Sequence, residues 1–157
     1  NTWLGWSLSV GDLDGDSLPD IAAGAPGANG GLGTVYVWFG HHLRANIQNP
    51  YLKIRSEDSV IGQSLAIGDI NGDSFADLIV AEPKGSIGAG LTSFQAGNAH
   101  VFWGPLDSSV YSERNVRTAS NHFIGPGPNA NLGIQMLIGD INRDGIDDIS
   151  FVHLSVQ

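Results

Sequence analysis

The 157-residue sequence contains no cysteine. That single absence removes a disulfide scaffold, a thiolate zinc site and a cysteine nucleophile. Basic residues are also scarce: Lys and Arg number seven against sixteen Asp and Glu, a formal charge of −9. Phosphate-backbone binding needs clustered cationic side chains, so nucleic acid is excluded as a partner class. No run of 18 apolar residues occurs, which excludes a membrane-spanning helix in this segment. No segment shows sustained 3.6-residue periodicity, so helix is expected to be scarce. Gly-x-Ser-x-Gly, phosphate-binding loops and dinucleotide fingerprints are missing, and His41, His42, His100, His122 and His153 form no zinc-ligand spacing. His41-His42 follows an expected strand and reads as a solvated turn; His100 alternates with Val101 on a strand. No catalytic residue and no organic-cofactor residue is assigned. Asn-x-Ser/Thr is absent too, so N-glycosylation is not expected within this stretch. With 41% hydrophobic residues the chain is nevertheless too apolar for a disordered acidic tail.

What is present is an Asp-rich segment repeated three times. Gly11–Asp20, Gly68–Asp77 and Gly139–Asp148 each carry an oxygen-bearing side chain at loop positions 1, 3, 5 and 9. These are Asp12, Asp14, Asp16 and Asp20 in the first loop, and Asp69, Asn71, Asp73 and Asp77 in the second. The third offers Asp140, Asn142, Asp144 and Asp148. Ca²⁺ takes 6–8 oxygens at about 2.3–2.6 Å in a flexible shell, and alternate carboxylates on a curled loop supply it. A backbone carbonyl at position 7, from Leu18, Phe75 or Ile146, adds one more oxygen. Mg²⁺ suits the pattern less, because it keeps more water and takes fewer protein ligands. Up to three Ca²⁺ are therefore expected. The ligand positions hold ten of the sixteen acidic residues, and three such ions would bring −9 to −3. An EF-hand begins similarly but needs Glu at position 12. Here position 12 is Ala23, Val80 and Phe151, and the following segments read as short buried strands.

The repetition extends beyond the loops. Gly5, Gly62 and Gly133 each precede the first loop Asp by seven residues, and strands are expected at 6–10, 63–67 and 134–138. After the loops, Gly24-Ala-Pro26 and Ala81-Glu-Pro83 close further strands, followed by the aromatic runs Gly33–Gly40 and Gly97–Gly104. A strand is expected at Tyr51–Arg55 and another at Asn115–Ala119. The loops begin 57 and 71 residues apart, and the extra 14 fall entirely in connections. Those connections, 84–96 and roughly 106–131, read as Gly-, Ser-, Asn- and Pro-rich loops. One structural unit is repeated, with only its linkers varying. Of four tryptophans, Trp38 and Trp103 are expected in the core and Trp3 is the candidate for exposure.

Leu/Ile-Gly, a strand, Gly-Asp-x-[Asp/Asn]-x-Asp-x-x-x-Asp and then Gly-Ala-Pro resembles the FG-GAP repeat of integrin α subunits and glycosylphosphatidylinositol-specific phospholipase D. The resemblance implies an all-β, partial β-propeller of antiparallel blades with calcium-binding loops, drawn from a seven-bladed ring. Expected repeats are 1–58, 59–129 and a truncated third at 130–157. It departs from the family pattern in three ways. The aromatic of Phe-Gly is aliphatic in every copy, Glu82 interrupts Gly-Ala-Pro, and the third copy has Val152-His153-Leu154 there. A propeller closes with four to eight blades. The chain is accordingly expected to belong to a larger protein, its remaining blades lying in further sequence or another protein chain. The implied role is extracellular or cell-surface adhesion, recognition or assembly, with a protein or glycan ligand. An accessory propeller of a phospholipase D-like hydrolase and a carbohydrate-binding module are the alternatives.

Overall fold

The computed structural model describes residues 1–43, 49–85 and 95–152. Most of the 84–96 connection, and the third repeat's exit at 153–154 with His153, lie outside the described residues.

The chain is all-β, a partial propeller of stacked sheets. In the first sheet β1 (Ser7–Gly11), β2 (Asp20–Ala25), β3 (Thr34–Trp38) and β4 (Leu52–Arg55) form an antiparallel meander. A helical turn, α1 (Gly40–Leu43), follows β3. The second sheet starts the same way with β5 (Leu65–Gly68), β6 (Asp77–Glu82) and β7 (Asn98–Phe102).

The segment after β7 differs from expectation. Asn115–Ala119 is not a strand: Val116–Thr118 is a 3-10 turn whose Arg117 N–H donates to the Asn115 side chain. Strands flank it on both sides. β8 (Ser112–Asn115) returns to the first sheet and lies parallel to β4, while β9 (Asn121–Ile124) completes the second sheet against β7. Ser-Glu-Arg-Asn and Asn-His-Phe-Ile lie at sheet edges, where one side faces water and an apolar run is not required. The third sheet consists of β10 (Gln135–Gly139) and β11 (Asp148–Val152).

Apolar alternation places a core between each pair of sheets. Val35, Val37, Leu52 and Ile54 of the first sheet meet Leu65, Ile67, Leu78 and Val80 of the second. The opposite face of the second sheet offers Ile79, Ala99 and Val101, which pack against Met136, Ile138, Ile149 and Phe151. All six residues of β6 are buried, because this central strand is covered on both sides. Trp103 packs into the second interface, whereas Trp38 is only half-buried. Trp3 and Trp6 are exposed. β5 contacts both β1 and β10, so the first strands of the three sheets lie side by side.

Candidate metal-binding loops

Each Asp-rich loop joins the first two strands of a sheet, and the same network of hydrogen bonds shapes all three. The position-1 carboxylate collects backbone donors. Asp12 accepts from the Gly15, Asp16 and Ser17 N–H groups, and Asp69 accepts equivalently from Gly72, Asp73 and Ser74. Asp140 accepts from Asp144 and Gly145. Position 3 accepts the position-5 N–H, and position 5 accepts the N–H of Leu18, Phe75 or Ile146 at 2.8–2.9 Å. The amides fold inward as donors, but among the described residues neither the second nor the third loop brings three of its carboxylates within 4.8 Å of one another.

The position-9 Asp does a second job. Asp20 Oδ2 accepts from Leu13 N–H at 2.6 Å, and its Oδ1 accepts from Gly40 N–H at 2.7 Å. Asp77 repeats this with Ile70 and Gly104. Each therefore ties its own loop to the end of the third strand in its sheet. Asp148 accepts from Ile141 and Asn142 in the third loop. Asp20 and Asp77 are fully buried. Burial pushes the Asp20 carboxyl up to about 6, against the two backbone hydrogen bonds that pull it down and with help from Asp14 and Asp16. Asp77 is raised for the same reason.

The first loop brings Asp12, Asp14 and Asp20 together, their oxygens all within 4.8 Å of one another. The Asp14 side chain is only 4% exposed, and its buried Oδ2 makes no hydrogen bond. Leaving a buried carboxylate oxygen unpaired costs free energy, and a cation would remove that cost. The donor set is all-oxygen and flexible, which fits Ca²⁺. In the other loops an amide stands at position 3: Asn71 and Asn142 donate Nδ2–H to Asp73 and Asp144 Oδ2, each at 3.0 Å.

Two residues outside the sequence-derived set belong to this neighbourhood. His41 does not form a merely solvated turn: its Nδ1 lies 2.9 Å from Asp16 Oδ2 and 3.3 Å from Asp14 Oδ2. Asp147, beside position 9 of the third loop, couples neighbouring loops: its N–H donates to Asp69 O and its Oδ2 accepts from Asp69 N–H. The position-7 side chains span the same gaps, Phe75 packing beside Gly15 and Ile146 beside Gly72.

His100 is buried within a network centred on Glu82, the residue that breaks the Gly-Ala-Pro pattern. Ser56 Oγ, Asn98 Nδ2 and His100 Nε2 lie 2.7–3.1 Å from the Glu82 carboxylate, and His100 Nδ1 is 3.0 Å from His122 Nδ1.

The sequence is similar to those of known proteins. The sequence model of the FG-GAP repeat matches residues 4–38 and 61–102. Phosphatidylinositol-glycan-specific phospholipase D of Rattus norvegicus is 34% identical over 158 residues, covering 93% of this chain and 18% of the relative. The Homo sapiens protein of the same name is 35% identical over 160 residues, with the same coverage. Integrin alpha-PS2 of Drosophila melanogaster is 27% identical over 154 residues, covering 96% of this chain and 10% of the integrin. The chain thus spans less than a fifth of the length of these curated relatives. Among the described residues no helix is long and apolar enough to cross a membrane.

Proposed function

The chain belongs to the FG-GAP repeat family, and we propose that it is a noncatalytic propeller segment stabilised by Ca²⁺ at its three Asp-rich loops. Asp12, Asp14, Asp16 and Asp20, with the Leu18 carbonyl, hold the first ion. Asp69, Asn71, Asp73 and Asp77, with the Phe75 carbonyl, hold the second. Asp140, Asn142, Asp144 and Asp148, with the Ile146 carbonyl, hold the third. The observation that carries this reading is the recurrence of one loop architecture three times, with a buried Asp14 oxygen that makes no hydrogen bond in the most acidic copy. Bound cations neutralise the crowded carboxylates and lock the turn between the first two strands of each sheet. The three repeats, 1–58, 59–129 and 130–157, serve as blades beside further blades of the same polypeptide or of another chain. Extracellular modules of this kind operate near 10⁻⁴–10⁻³ M Ca²⁺. That range supports a location outside the cell or at its surface, and a role in adhesion, recognition or assembly on a protein or glycan ligand.

Calcium removal tests the reading. At ten times its Kd each ion stabilises by about 1.4 kcal/mol, so three contribute about 4 kcal/mol. For a chain of this size EDTA should lower the melting temperature by roughly 10 °C. Asp73→Ala should abolish about a third of that response. A melting curve unmoved by excess chelator would reject structural calcium.

A second reading, an accessory propeller beside a hydrolase domain, is supported by the phospholipases among the relatives, those of rat and human being 34% and 35% identical over 93% of this chain. The full open reading frame distinguishes them: a hydrolase domain beside the repeats would select the second.

A further inference from the structure

The first loop differs from the other two in a way that changes its chemistry. Positions 3 and 5 are both acidic there, Asp14 and Asp16, and no side-chain amide separates them. The imidazole of His41, 25 residues away, takes that place: its Nδ1–H donates to Asp16 Oδ2 at 2.9 Å. Asp14 Oδ2 is 3.3 Å from the same nitrogen, buried, and without a hydrogen bond. Among the described residues the second loop has no counterpart. Gly40 and Gly104 occupy equivalent places, each donating its N–H to the position-9 Asp, but the residue after Gly104 is Pro105, which cannot ligate.

His41 is also held in position. Its ring lies against that of His42, with centroids 3.8 Å apart, and His42 stacks on Tyr51 at 3.6 Å and 5°. His42 Nε2 lies 3.1 Å from Ser108 O, which fixes the middle of the stack. The imidazole therefore reaches the carboxylates already oriented, so little rotamer entropy remains to be lost on binding.

We propose that Asp14, Asp16 and His41 form a mixed carboxylate–imidazole site for a borderline first-row dication of the Zn²⁺ class. This site makes the first loop chemically distinct from the two all-oxygen loops. Imidazole nitrogen suits Zn²⁺, whereas a purely carboxylate and carbonyl shell suits Ca²⁺, Mg²⁺ and Mn²⁺. Ligands of a tetrahedral ion with bonds of about 2.0–2.1 Å lie roughly 3.3 Å apart. The 2.9 and 3.3 Å separations between His41 and the two carboxylates are already close to that spacing, and all three ligand atoms lie within 4.8 Å of one another. On binding, the metal takes the place of the Nδ1 proton: from the neutral Nδ1–H tautomer that proton passes through solvent to Nε2 with no net release, and from the imidazolium, whose Nε2 already carries one, it is released to solvent, so the ring ligates as neutral imidazole. The inference shares Asp14 and Asp16 with the calcium reading but does not require calcium to bind anywhere.

The test uses the full chain stripped of metal, titrated separately with Zn²⁺, Co²⁺ and Ca²⁺ by calorimetry and, for Co²⁺, visible absorption. One Zn²⁺ should bind more tightly than any Ca²⁺. His41→Ala should weaken that site at least about tenfold, since even outer-shell partners change metal affinity by 10–100-fold. The same variant should leave Ca²⁺ titration of the second and third loops unchanged. His41→Asn, with unchanged far-ultraviolet circular dichroism, controls for folding, and Asp16→Asn should weaken Zn²⁺ as His41→Ala does. Equal Zn²⁺ affinity and an equal Co²⁺ spectrum in His41→Ala and the parent would overturn the proposal. So would parallel weakening of Ca²⁺ and Zn²⁺ at the first loop, which would make His41 a positioning residue only. His41-dependent Zn²⁺ binding without any Ca²⁺ response would retain this site and reject the calcium reading.

Discussion

Arg143 sits at φ +68° at position 4 of the third loop, where the other loops have Gly15 and Gly72 at +80° and +77°. Position 6 is left-handed as well: Ser17 and Ser74 adopt +66° and +71°, and Gly145 adopts +90°. Each loop thus needs two left-handed residues and places glycine at one of them. An L-residue there costs roughly 1–2 kcal/mol, partly offset by the lower chain entropy it brings to the unfolded state. Arg143→Gly should therefore stabilise the protein by less than about 1 kcal/mol. Gly15→Ala should destabilise it by about 1–2 kcal/mol, because the added methyl is strained and meets Phe75 Cε1 at 2.8 Å. Urea titration of both variants measures the pair, and a reversal of sign would show that the loop does not hold these dihedrals. The alternation of ligand-type side chains was legible because all of them lie within nine consecutive positions. His41 was not, since its partners are 25 and 27 residues away and only folding brings the turn after β3 over the loop.

Glu82 ends β6 and gathers one donor from the connection after β4 (Ser56) and two from β7 (Asn98 and His100). It is the point where the first repeat's exit is fastened to the second sheet. Burial alone would raise its carboxyl pKa, but hydrogen bonds from His100, Ser56 and Asn98 and the charge of His100 prevail and hold it below its ordinary 4.5. His122 on β9 faces His100 from the other side. Burial, His100 and Arg117 lower its pKa from 6.5, against Glu82, which raises it. A depressed carboxyl pKa contributes stability above 4.5 that is lost as pH falls through that value toward the folded one. A depressed imidazole pKa acts in the same direction, starting as pH falls below 6.5. The Glu82 and His122 contributions should consequently decline on acidification, opposite in sign to those of the raised carboxyls of Asp20 and Asp77, and Glu82→Gln should remove the Glu82 loss below about pH 4.5 while leaving the pH dependence above it. Denaturant midpoints at about pH 6, 5 and 3.5 measure this. Parallel curves for variant and parent would show that Glu82 carries no acid sensitivity. Strands such as β2, β3, β6 and β7 were readable because burial on two faces demands continuous apolar runs. β8 and β9 were not, because an edge strand needs only backbone partners, which composition does not reveal. The Glu82 departure was visible in sequence, but its donors were scattered over residues 56–100.

The three sheets leave two apolar faces without a neighbour among the described residues. On the first sheet, Leu8, Ala23, Tyr36 and Lys53 form one cross-strand row, and Leu8 and Val10 are 63% and 60% exposed beside Trp6 at 64%. At the other end Leu137 is 71% exposed and Val152 is exposed next to it on the outer face of β10 and β11. Between these ends every inner face is covered, by the same alternation of apolar side chains. The exposed rows occupy positions equivalent to those that make the inner interfaces, so they have the composition of blade contacts rather than of solvent-facing strands. The proposed closure by further blades predicts a sharp response at Leu8. A leucine left in water tolerates a polar replacement within about 0.5 kcal/mol. A leucine covered by another sheet does not, because the exchange forfeits roughly 1.5–3 kcal/mol of burial and adds the cost of an unpaired carboxylate. In the full polypeptide Leu8→Asp should therefore lower unfolding free energy by at least about 3 kcal/mol, read from denaturant melts alongside Ser9→Asp as a control on the adjacent face. A change within about 0.5 kcal/mol would place this face in solvent and overturn ring closure at β1.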